Sequence, residues 1–349
     1  MKIQIITELN NIIRKKWELF LSVHPRATFF QSPAFFDFSS QTENSKPILY
    51  LCTSEKDEIL GLICGVIMHN KFTYLSSRFI VYGGPIFISN KKVLSQLLTS
   101  VCSYLKRKVI YIEFRNLFDY GNEIEIFKKH KLQFKDHYSL SLNLKGITKD
   151  NVLKVFDESK RRQIKKSFNS DVNIQKAQSV AEIGDFYIIL KELYRDKIGK
   201  PLVGLEFFVN FYQHRKTLGD ILLIKHADKI IGGIVCPKYL NLEVCEWYIC
   251  GLDHEYKSKG IYPSVMATYA GIQYAIEEGV PIFDFLGAGS PKDNYGVRNF
   301  KLKFGGKLAN DGRFIRINKP LIYELASLWL KLKGLKRNTP HLSKSTPIV

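Results

Sequence analysis

The stretch PSVMATYAGIQYAIEEGVPIFDF, residues 263–285, joins a helix pattern to a strand pattern. Pro263 suits the first turn of a helix, which we expect to run to about Glu278. The apolar residues that follow, interrupted only by Asp284, indicate a buried strand. Upstream, residues 221–224, 230–239 and 244–250 alternate with turn signals as a strand meander does. The predicted order is therefore strand meander, helix and buried strand.

The same order occurs once more, nearer the start of the chain. Residues 48–51, 59–68 and 79–87 are typical of strands, residues 91–107 have helical spacing, and residues 109–112 are typical of a strand again. From Ile48 to Val109 is 61 residues, and from Ile221 to Pro281 is 60. We infer a duplication from this agreement of order and length.

The length of 349 residues suits two domains rather than one. Hydrophobic residues make up 45% and charged residues 24%, as in globular proteins. We predict an α/β fold with α+β mixed sheets in two tandem modules. Their predicted ranges are residues 1–146 and 171–320, with a basic linker helix at 147–170 and a basic amphipathic helix and tail at 321–349.

The formal charge of +19 favours binding to polyanions such as nucleic acid, anionic lipid or phosphorylated substrates. A basic proteome or simple solubility would also explain it. Residues 159–166 hold five cations on a predicted helix, and such a run is usually a solvated face. The helix predicted after residue 320 has an apolar face and ends in cations, so it suits either an anionic membrane surface or packing on its own domain, which we favour.

Several classes of protein are excluded by the sequence. The longest apolar run, Ile59–Met68, is far shorter than the roughly 20 residues that a membrane span needs. The first residues lack the pattern of a secretory signal, so we expect a cytoplasmic protein, associated at most with the inner face of the membrane. The six cysteines form no Cys-x-x-Cys pair, and we expect core packing and no metal.

Residues 295–306, YGVRNFKLKFGG, resemble the FemABX family, and the resemblance extends over about residues 28–320. Further matching segments are residues 30–33, the linker helix, residues 194–196, 246–248 and 256–263. The FemABX enzymes move an amino acid from aminoacyl-tRNA to an amine of a peptidoglycan precursor, and both of their modules resemble the Gcn5-related acetyltransferase (GNAT) fold. The resemblance implies two GNAT-like modules, with the reaction in the second.

The resemblance also implies a catalytic lysine at Lys301, after Phe300. Amide formation passes through an oxyanion, which a cation such as Lys301 would stabilise. From charge alone, the simpler interpretation is that Lys301 is a surface lysine beside Lys303 on an exposed helix. Asp284 and Glu246 are candidate bases. Alternation would put Glu246 and Tyr248 on one side of their strand. The predicted substrate-binding residues are Tyr248, Arg195, Tyr256, Tyr295, Arg298 and Phe300. Arg195 would hold an anionic phosphate of the acceptor or would form only a helix salt bridge. Arg298 is also a candidate structural partner for Asp284.

The loop at residues 256–263 bears on the donor. Coenzyme A enzymes of the GNAT fold cradle the pyrophosphate on backbone N–H groups at a helix N-terminus. Lys257, Lys259 and Gly260 fit a donor loop, but Tyr262 stands where a small residue belongs and Pro263 has no N–H group. The cradle is therefore altered, and the first copy shows no such loop.

We expect an N-acyltransferase that acts on a cell-envelope precursor, with no tightly bound cofactor and with aminoacyl-tRNA or another acyl donor as substrate. The alternatives are an acyl-coenzyme A-dependent N-acetyltransferase of an amino sugar or small amine, and a binding or scaffold protein whose donor loop has decayed.

Overall fold

The computed structural model describes residues 1–69, 77–199, 201–291 and 296–337, with the side chains of residues 329–337 left out. These residues form two units. The first contains the described residues of Met1–Ser40, of Asn44–Asp136 and of the chain from Asp311 to Arg337. The second contains Gln41–Glu43 and His137–Asn310.

Sixteen strands are described, in the order β1 Lys2–Ile6, β2 Ser45–Thr53, β3 Ile59–Met68, β4 Arg78–Gly83, β5 Ile86–Phe87, β6 Tyr111–Asn116, β7 Gln133–Lys135, β8 Ser139–Asn143, β9 Val172–Lys176, β10 Gly219–His226, β11 Lys229–Tyr239, β12 Glu243–Cys245, β13 Tyr248–Gly251, β14 Ile282–Gly287, β15 Lys307–Ala309 and β16 Arg313–Ile317. The described helices are α1 Asn11–Ser22, α2 Pro33–Ser40, α3 Lys91–Leu105, α4 Ile124–Lys129, α5 Glu158–Phe168, α6 Val180–Leu193, α7 Leu205–Gln213, α8 Arg215–Leu218, α9 Asp253–Tyr256, α10 Pro263–Glu277, α11 Gly296–Leu302 and α12 Pro320–Arg337.

The first unit contains a mixed sheet in the order β1-β2-β3-β4-β6-β16-β7, with β5 on β3. The amphipathic helix α3 buries its apolar face in the core of this unit, as its spacing predicts. The parallel strands β4 and β6 pair along their whole length, from Arg78 opposite Tyr111 to Gly83 opposite Asn116. These two strands leave no gap between them.

The second unit contains a mixed sheet in the order β15-β8-β14-β12-β11-β10-β9, with β13 on β11. Its parallel strands β12 and β14 pair only from Glu243 opposite Ile282 to Cys245 opposite Asp284. Beyond that point the chain continues as β13, which pairs with β11 and not with β14. The sheet therefore opens between β13 and β14, whereas the corresponding strands of the first unit stay closed.

The two sheets exchange strands through the chain order. After β7 the chain forms β8, which lies between β14 and β15 of the second unit. After β15 it forms β16, which lies between β6 and β7 of the first unit. The two predicted modules and the mixed α/β fold are confirmed. The predicted boundaries at residues 146 and 320 differ from those of the units, at 136 and 310, because β8, predicted within the first module, lies in the second sheet, and β16, predicted within the second module, lies in the first sheet.

The predicted linker helix also belongs to a module. Ile164 of α5 is fully buried in the core of the second unit, which also contains Phe156 and Val152. Residues 147–170 are therefore part of that unit and do not form a separate linker.

Helix α12 lies in the first unit, and its Tyr323 ring packs edge-on against Tyr111 at 5.6 Å. The favoured prediction that its apolar face packs on its own domain is wrong for three residues. Leu321, Leu325 and Leu328 are 77%, 68% and 55% exposed. They recur at helical spacing, so one apolar stripe of the described helix faces away from the core.

All six cysteines are buried thiols. Among the described residues, no group of three His, Cys, Asp or Glu side chains has the arrangement of a metal site. No described helix combines the length and hydropathy that a membrane span requires.

Candidate active site

The candidate site begins at the opening between β13 and β14. Glu246 donates its backbone N–H to the carbonyl oxygen of Asp284 at 2.8 Å, which is the last bond between these parallel segments. Val244 lies opposite Lys238 of β11, and Tyr248 lies opposite Val235. The four residue steps from Val244 to Tyr248 therefore span only the three from Lys238 to Val235 on β11. The extra residue is a β-bulge at residues 246–247.

This bulge overturns the predicted common side of Glu246 and Tyr248. The Glu246 carboxylate accepts a hydrogen bond from Thr268 of α10 at 3.2 Å. The Tyr248 ring instead packs against Phe207 and Phe208 of α7, with ring centroids 5.5 and 5.1 Å away. Strict alternation fails here because the extra residue reverses the direction of the side chains that follow it.

Lys301 of α11 lies at the same opening and is buried, with 7% of its surface exposed. Its Nζ is 3.1 Å from Glu246 Oε1 and donates to the carbonyl oxygens of Phe285 at 2.5 Å and Gly287 at 3.3 Å. The pairing of β14 with β8 shifts register between Asp284 and Gly287, so Lys301 binds the irregular end of that strand. The nearby Lys303 is exposed, which agrees with the expectation that at most one of these lysines points inward.

Glu246 and Lys301 form a buried ion pair. Burial raises the pKa of the Glu246 carboxyl above its usual range, although Lys301 and the hydrogen bond from Thr268 act in the opposite direction. A carboxyl whose pKa is raised holds a proton more readily than an ordinary carboxyl does, which suits a general base. When it takes up a proton, the Lys301 ammonium loses its neutralising partner in a site shielded from water.

Asp284 shapes the end of β14. Its Oδ1 accepts the backbone N–H of Leu286 at 2.6 Å, and Leu286 has a left-handed backbone with φ of 58°. A leucine adopts this conformation rarely, so the carboxylate helps to hold a strained turn. That turn presents the two carbonyl oxygens that bind Lys301.

The backbone N–H groups of the predicted donor loop already donate to acceptors within the protein. The backbone N–H of Gly260 donates to Lys257 O, and that of Ile261 to Tyr256 O. The N–H of Tyr262 donates to Ser167 Oγ at 3.0 Å. Pro263 has no N–H group, and Ser264 donates from both its backbone nitrogen and its hydroxyl to the Asp253 carboxylate.

This arrangement leaves the start of α10 unsuited to a pyrophosphate. A carboxylate already occupies the place where a helix N-terminus would attract an anion. Gly251 marks how closely β13 approaches, since a Cβ on it would lie 2.5 Å from the Ser264 nitrogen. Of the predicted donor-loop residues, Lys257 and Lys259 are exposed, Lys259 stands over the Tyr256 ring at 4.9 Å, and Gly260 has φ of 77°.

Two further motif residues, Arg298 and Phe300, contact other parts of the second unit. Arg298 donates from Nε to Ala288 O at 2.9 Å and from its terminal nitrogen to Ser290 O, and it covers the Tyr138 ring at 4.9 Å. Phe300 packs on Phe304, with ring centroids 5.4 Å apart. Tyr295 lies outside the described residues.

Lys160 of α5 lies beside the motif as well. It is buried, with its Nζ 4.0 Å from the centre of the Phe300 ring and 3.3 Å from Gln163 Oε1. Burial, together with the charge of Lys303, lowers the pKa of Lys160 to about 8. A second buried lysine thus borders the motif.

Arg195 is placed differently. It lies in the exposed π-helical turn Tyr194–Ile198 and forms an ion pair with Asp196 at 2.6 Å. The adjacent Tyr194 ring is 6.4 Å from Tyr248. Of the predicted residues, the structure therefore brings Lys301, Glu246 and Asp284 together, and it places Arg195 at the surface.

Sequence reasoning missed four residues of this region: Thr268, Asp253, Ser167 and Lys160. A signal existed for two of them, because Lys160, Ile164 and Ser167 recur at helical spacing on one face of α5. The bond from Ser264 to Asp253 gives no sequence pattern, because it depends on the close approach of β13 to α10.

Comparisons with known proteins agree with this fold. Residues 156–301 match the acetyltransferase (GNAT) domain family. FemX shares 14% identity at a TM-score of 0.69, over 93% of this chain and 99% of FemX. The C-terminal domain of a putative lysylphosphatidylglycerol synthetase from Agrobacterium fabrum shares 10% identity at a TM-score of 0.54, over 90% and 94%. A tandem GNAT protein from the clavulanic acid biosynthesis pathway shares 8% identity at a TM-score of 0.54, over 91% of this chain and 99% of that protein. No curated protein matches the sequence.

Proposed function

We propose that this chain, whose residues 156–301 match the GNAT domain family and whose fold is similar to that of FemX, is an acyltransferase that forms an amide on an amine of a cell-envelope precursor. The observation that carries the proposal is the buried pair of Lys301 and Glu246 at the opening of the second sheet. In this proposal the first unit is a scaffold, because its strands β4 and β6 remain paired throughout.

The donor in this proposal is an aminoacyl ester such as aminoacyl-tRNA. The occupied start of α10 argues against coenzyme A, because Asp253 would repel a pyrophosphate and the Tyr262 amide already donates to Ser167. An ester donor does not require that cradle. The formal charge of +19 fits a polyanionic donor.

The proposed reaction is an attack by the acceptor nitrogen on the ester carbonyl carbon. A C–N bond forms, the carbonyl becomes an oxyanion, and Glu246 takes the proton that the nitrogen loses. Lys301 is then no longer neutralised, and its charge stabilises the oxyanion. Collapse of the intermediate breaks the C–O bond, and the proton held by Glu246 passes to the leaving hydroxyl. Asp284 positions Lys301 through the turn at Leu286.

A cell-envelope acceptor is supported by the resemblance to the FemABX family and by the FemX-like fold. Arg195 lies at the surface and follows Tyr194, whose ring is 6.4 Å from Tyr248, and it is the proposed contact for an anionic part of this acceptor. The exposed leucines of α12 would hold the protein on an anionic membrane that carries lipid-linked acceptors. Sedimentation with anionic vesicles, compared with neutral ones, tests this contact.

The test measures amide formation from peptidoglycan precursors with charged tRNA or acetyl-coenzyme A as donor. We expect product with the tRNA donor, and a loss in kcat of roughly 10²–10³ in Lys301→Ala. Glu246→Gln should lower kcat by roughly 10²–10⁴.

A second variant covers the case in which Lys301→Ala fails to fold, since an unpaired buried charge costs about 3–5 kcal/mol. The double variant with Lys301→Met and Glu246→Gln removes both charges and should stay folded but inactive. Lys303→Ala, at an exposed position of the same motif, is the matched control and should keep wild-type kcat. Undiminished activity in the folded double variant would refute the role of the pair, and product from acetyl-coenzyme A alone would refute the donor.

A further inference from the structure

Helix α5 has two different faces. Lys160, Ile164 and Ser167 are buried. On the other side, Arg162, Lys165 and Lys166 are exposed and Arg161 is half-buried. We call these four cations, Arg161, Arg162, Lys165 and Lys166, the outer cations of α5. Together with Glu158 and Asn169 they form one open surface along the helix.

The outer cations are not neutralised. Within the described residues, none of them has a carboxylate within 4.0 Å, the limit for an ion pair. Elsewhere in the same unit several lysines do pair with acids, namely Lys149 with Glu277, Lys176 with Asp220, Lys225 with Glu182 and Lys238 with Glu278. This face of α5 is therefore a concentrated positive surface.

Helix stability explains only part of this arrangement. Lys165 and Lys166 lie in the last turn of α5, where cations interact favourably with the helix dipole. Arg161 and Arg162 lie in the middle of the helix, and each has a like charge four residues later. Such pairs destabilise a helix. Glu158, three and four residues before the two arginines, offsets only part of this repulsion, because a single carboxylate stands on this face among four cations.

The inner face of α5 connects this surface to the candidate site. Ser167 accepts the N–H of Tyr262 at the start of α10. Lys160 lies over the ring of Phe300, next to Lys301. A polyanion on the outer cations would thus lie on the helix that contacts both the donor loop and the motif helix.

We propose that the outer cations of α5 bind the phosphodiester backbone of an RNA donor. This inference rests on the proposed function, which supplies an aminoacyl ester on RNA. Arginine suits phosphate through its planar fork, and four cations on two successive turns match a repeating chain of phosphates. The contacts are to the backbone only, so they position the RNA without reading its sequence.

The experiment measures the binding of uncharged tRNA by fluorescence anisotropy over about 50–200 mM salt. The test variant replaces all four outer cations with glutamine. The control makes the same change in net charge at four exposed lysines of the same unit: Lys145, Lys191, Lys216 and Lys229. We expect the test variant to lose about a hundredfold in affinity at low salt and about three to four units of salt slope, and the control to lose little. Equal losses in both variants would overturn the inference.

A transfer assay separates this inference from the proposed function. With an aminoacyl ester of adenosine alone, the test variant should keep wild-type kcat/KM, whereas with full-length charged tRNA its KM should rise. Unchanged KM with tRNA overturns the inference and leaves the function intact. If the wild type transfers from no donor, the proposed function is refuted; a loss of RNA binding in the test variant alone would then still show that the outer cations bind RNA, but not that the RNA is a donor. If the test variant binds tRNA as tightly as the wild type does but no longer binds anionic vesicles, the surface binds lipid and the inference is overturned.

Discussion

One buried lysine, Lys301, belongs to the motif helix α11, and a second, Lys160, lies beside this helix; their surroundings differ. Lys301 lies against a carboxylate and two carbonyl oxygens. Lys160 lies against the aromatic rings of Phe300 and Phe304, with Gln163 as its hydrogen-bond partner. An aromatic face attracts a cation but compensates poorly for lost water. This difference explains why the pKa of Lys160 is lowered to about 8.

The stability contributed by Lys160 should therefore depend on pH. Its folded pKa of about 8 lies below the ordinary 10.5, so between these values the unfolded chain binds the proton more tightly. Stability then rises with pH across this window. We expect the free energy of unfolding of the wild type, relative to Lys160→Met, to increase from about pH 8 to 10.5, as measured by urea unfolding. A difference between the wild type and Lys160→Met that stays flat over this window would contradict the account.

At the scale of elements, the sequence predicted the strand meander, helix α10 and strand β14, because each has its own periodicity or apolar run. It also predicted that Lys301, Glu246 and Asp284 belong to one site. It missed the bulge at residues 246–247, because Glu246, Trp247 and Tyr248 are all compatible with regular alternation. Only the pairing with β11 reveals the extra residue.

The cap of α10 gives a prediction at this scale. Asp253→Ala removes the carboxylate that accepts from Ser264 and should lower the free energy of unfolding by about 1 kcal/mol, as the loss of a helix cap does. Coenzyme A should still not bind in calorimetry. The N–H group of Tyr262 remains hydrogen-bonded to Ser167, and Pro263 has no N–H group to offer a pyrophosphate. The exposed Glu255→Ala is the control and should leave stability unchanged. Tight coenzyme A binding by Asp253→Ala would show that the carboxylate alone excludes it.

At the scale of the whole molecule, the duplication was predictable but the exchange of strands was not. Element order and length can be read from apolar patterns, which say that a segment forms a strand. They do not say which sheet accepts it. Residues 139–143 and 313–317 are both short, ordinary strands. Only their hydrogen-bond partners show that the first of them, β8, pairs in the second sheet and that the other, β16, pairs in the first sheet.

This exchange makes the two units unequal as separate fragments. Residues 137–310 contain every described strand of the second sheet, and we expect this fragment to unfold cooperatively in urea, followed by circular dichroism. Residues 1–136 lack β16, which joins β6 to β7, and should not fold alone. Adding a peptide of residues 311–319 should restore some structure to it. Cooperative unfolding of residues 1–136 without the peptide would contradict this prediction.

The position of β16 also affects the synthesis of the chain. Between the end of β7 at Lys135 and the start of β16 at Arg313, the ribosome must add 177 residues. At roughly 5–20 residues per second this takes about 9–35 s. During that time β6 and β7 have open edges, which can pair with a wrong strand or bind a chaperone. The unit that is translated first is therefore the one whose sheet is completed last.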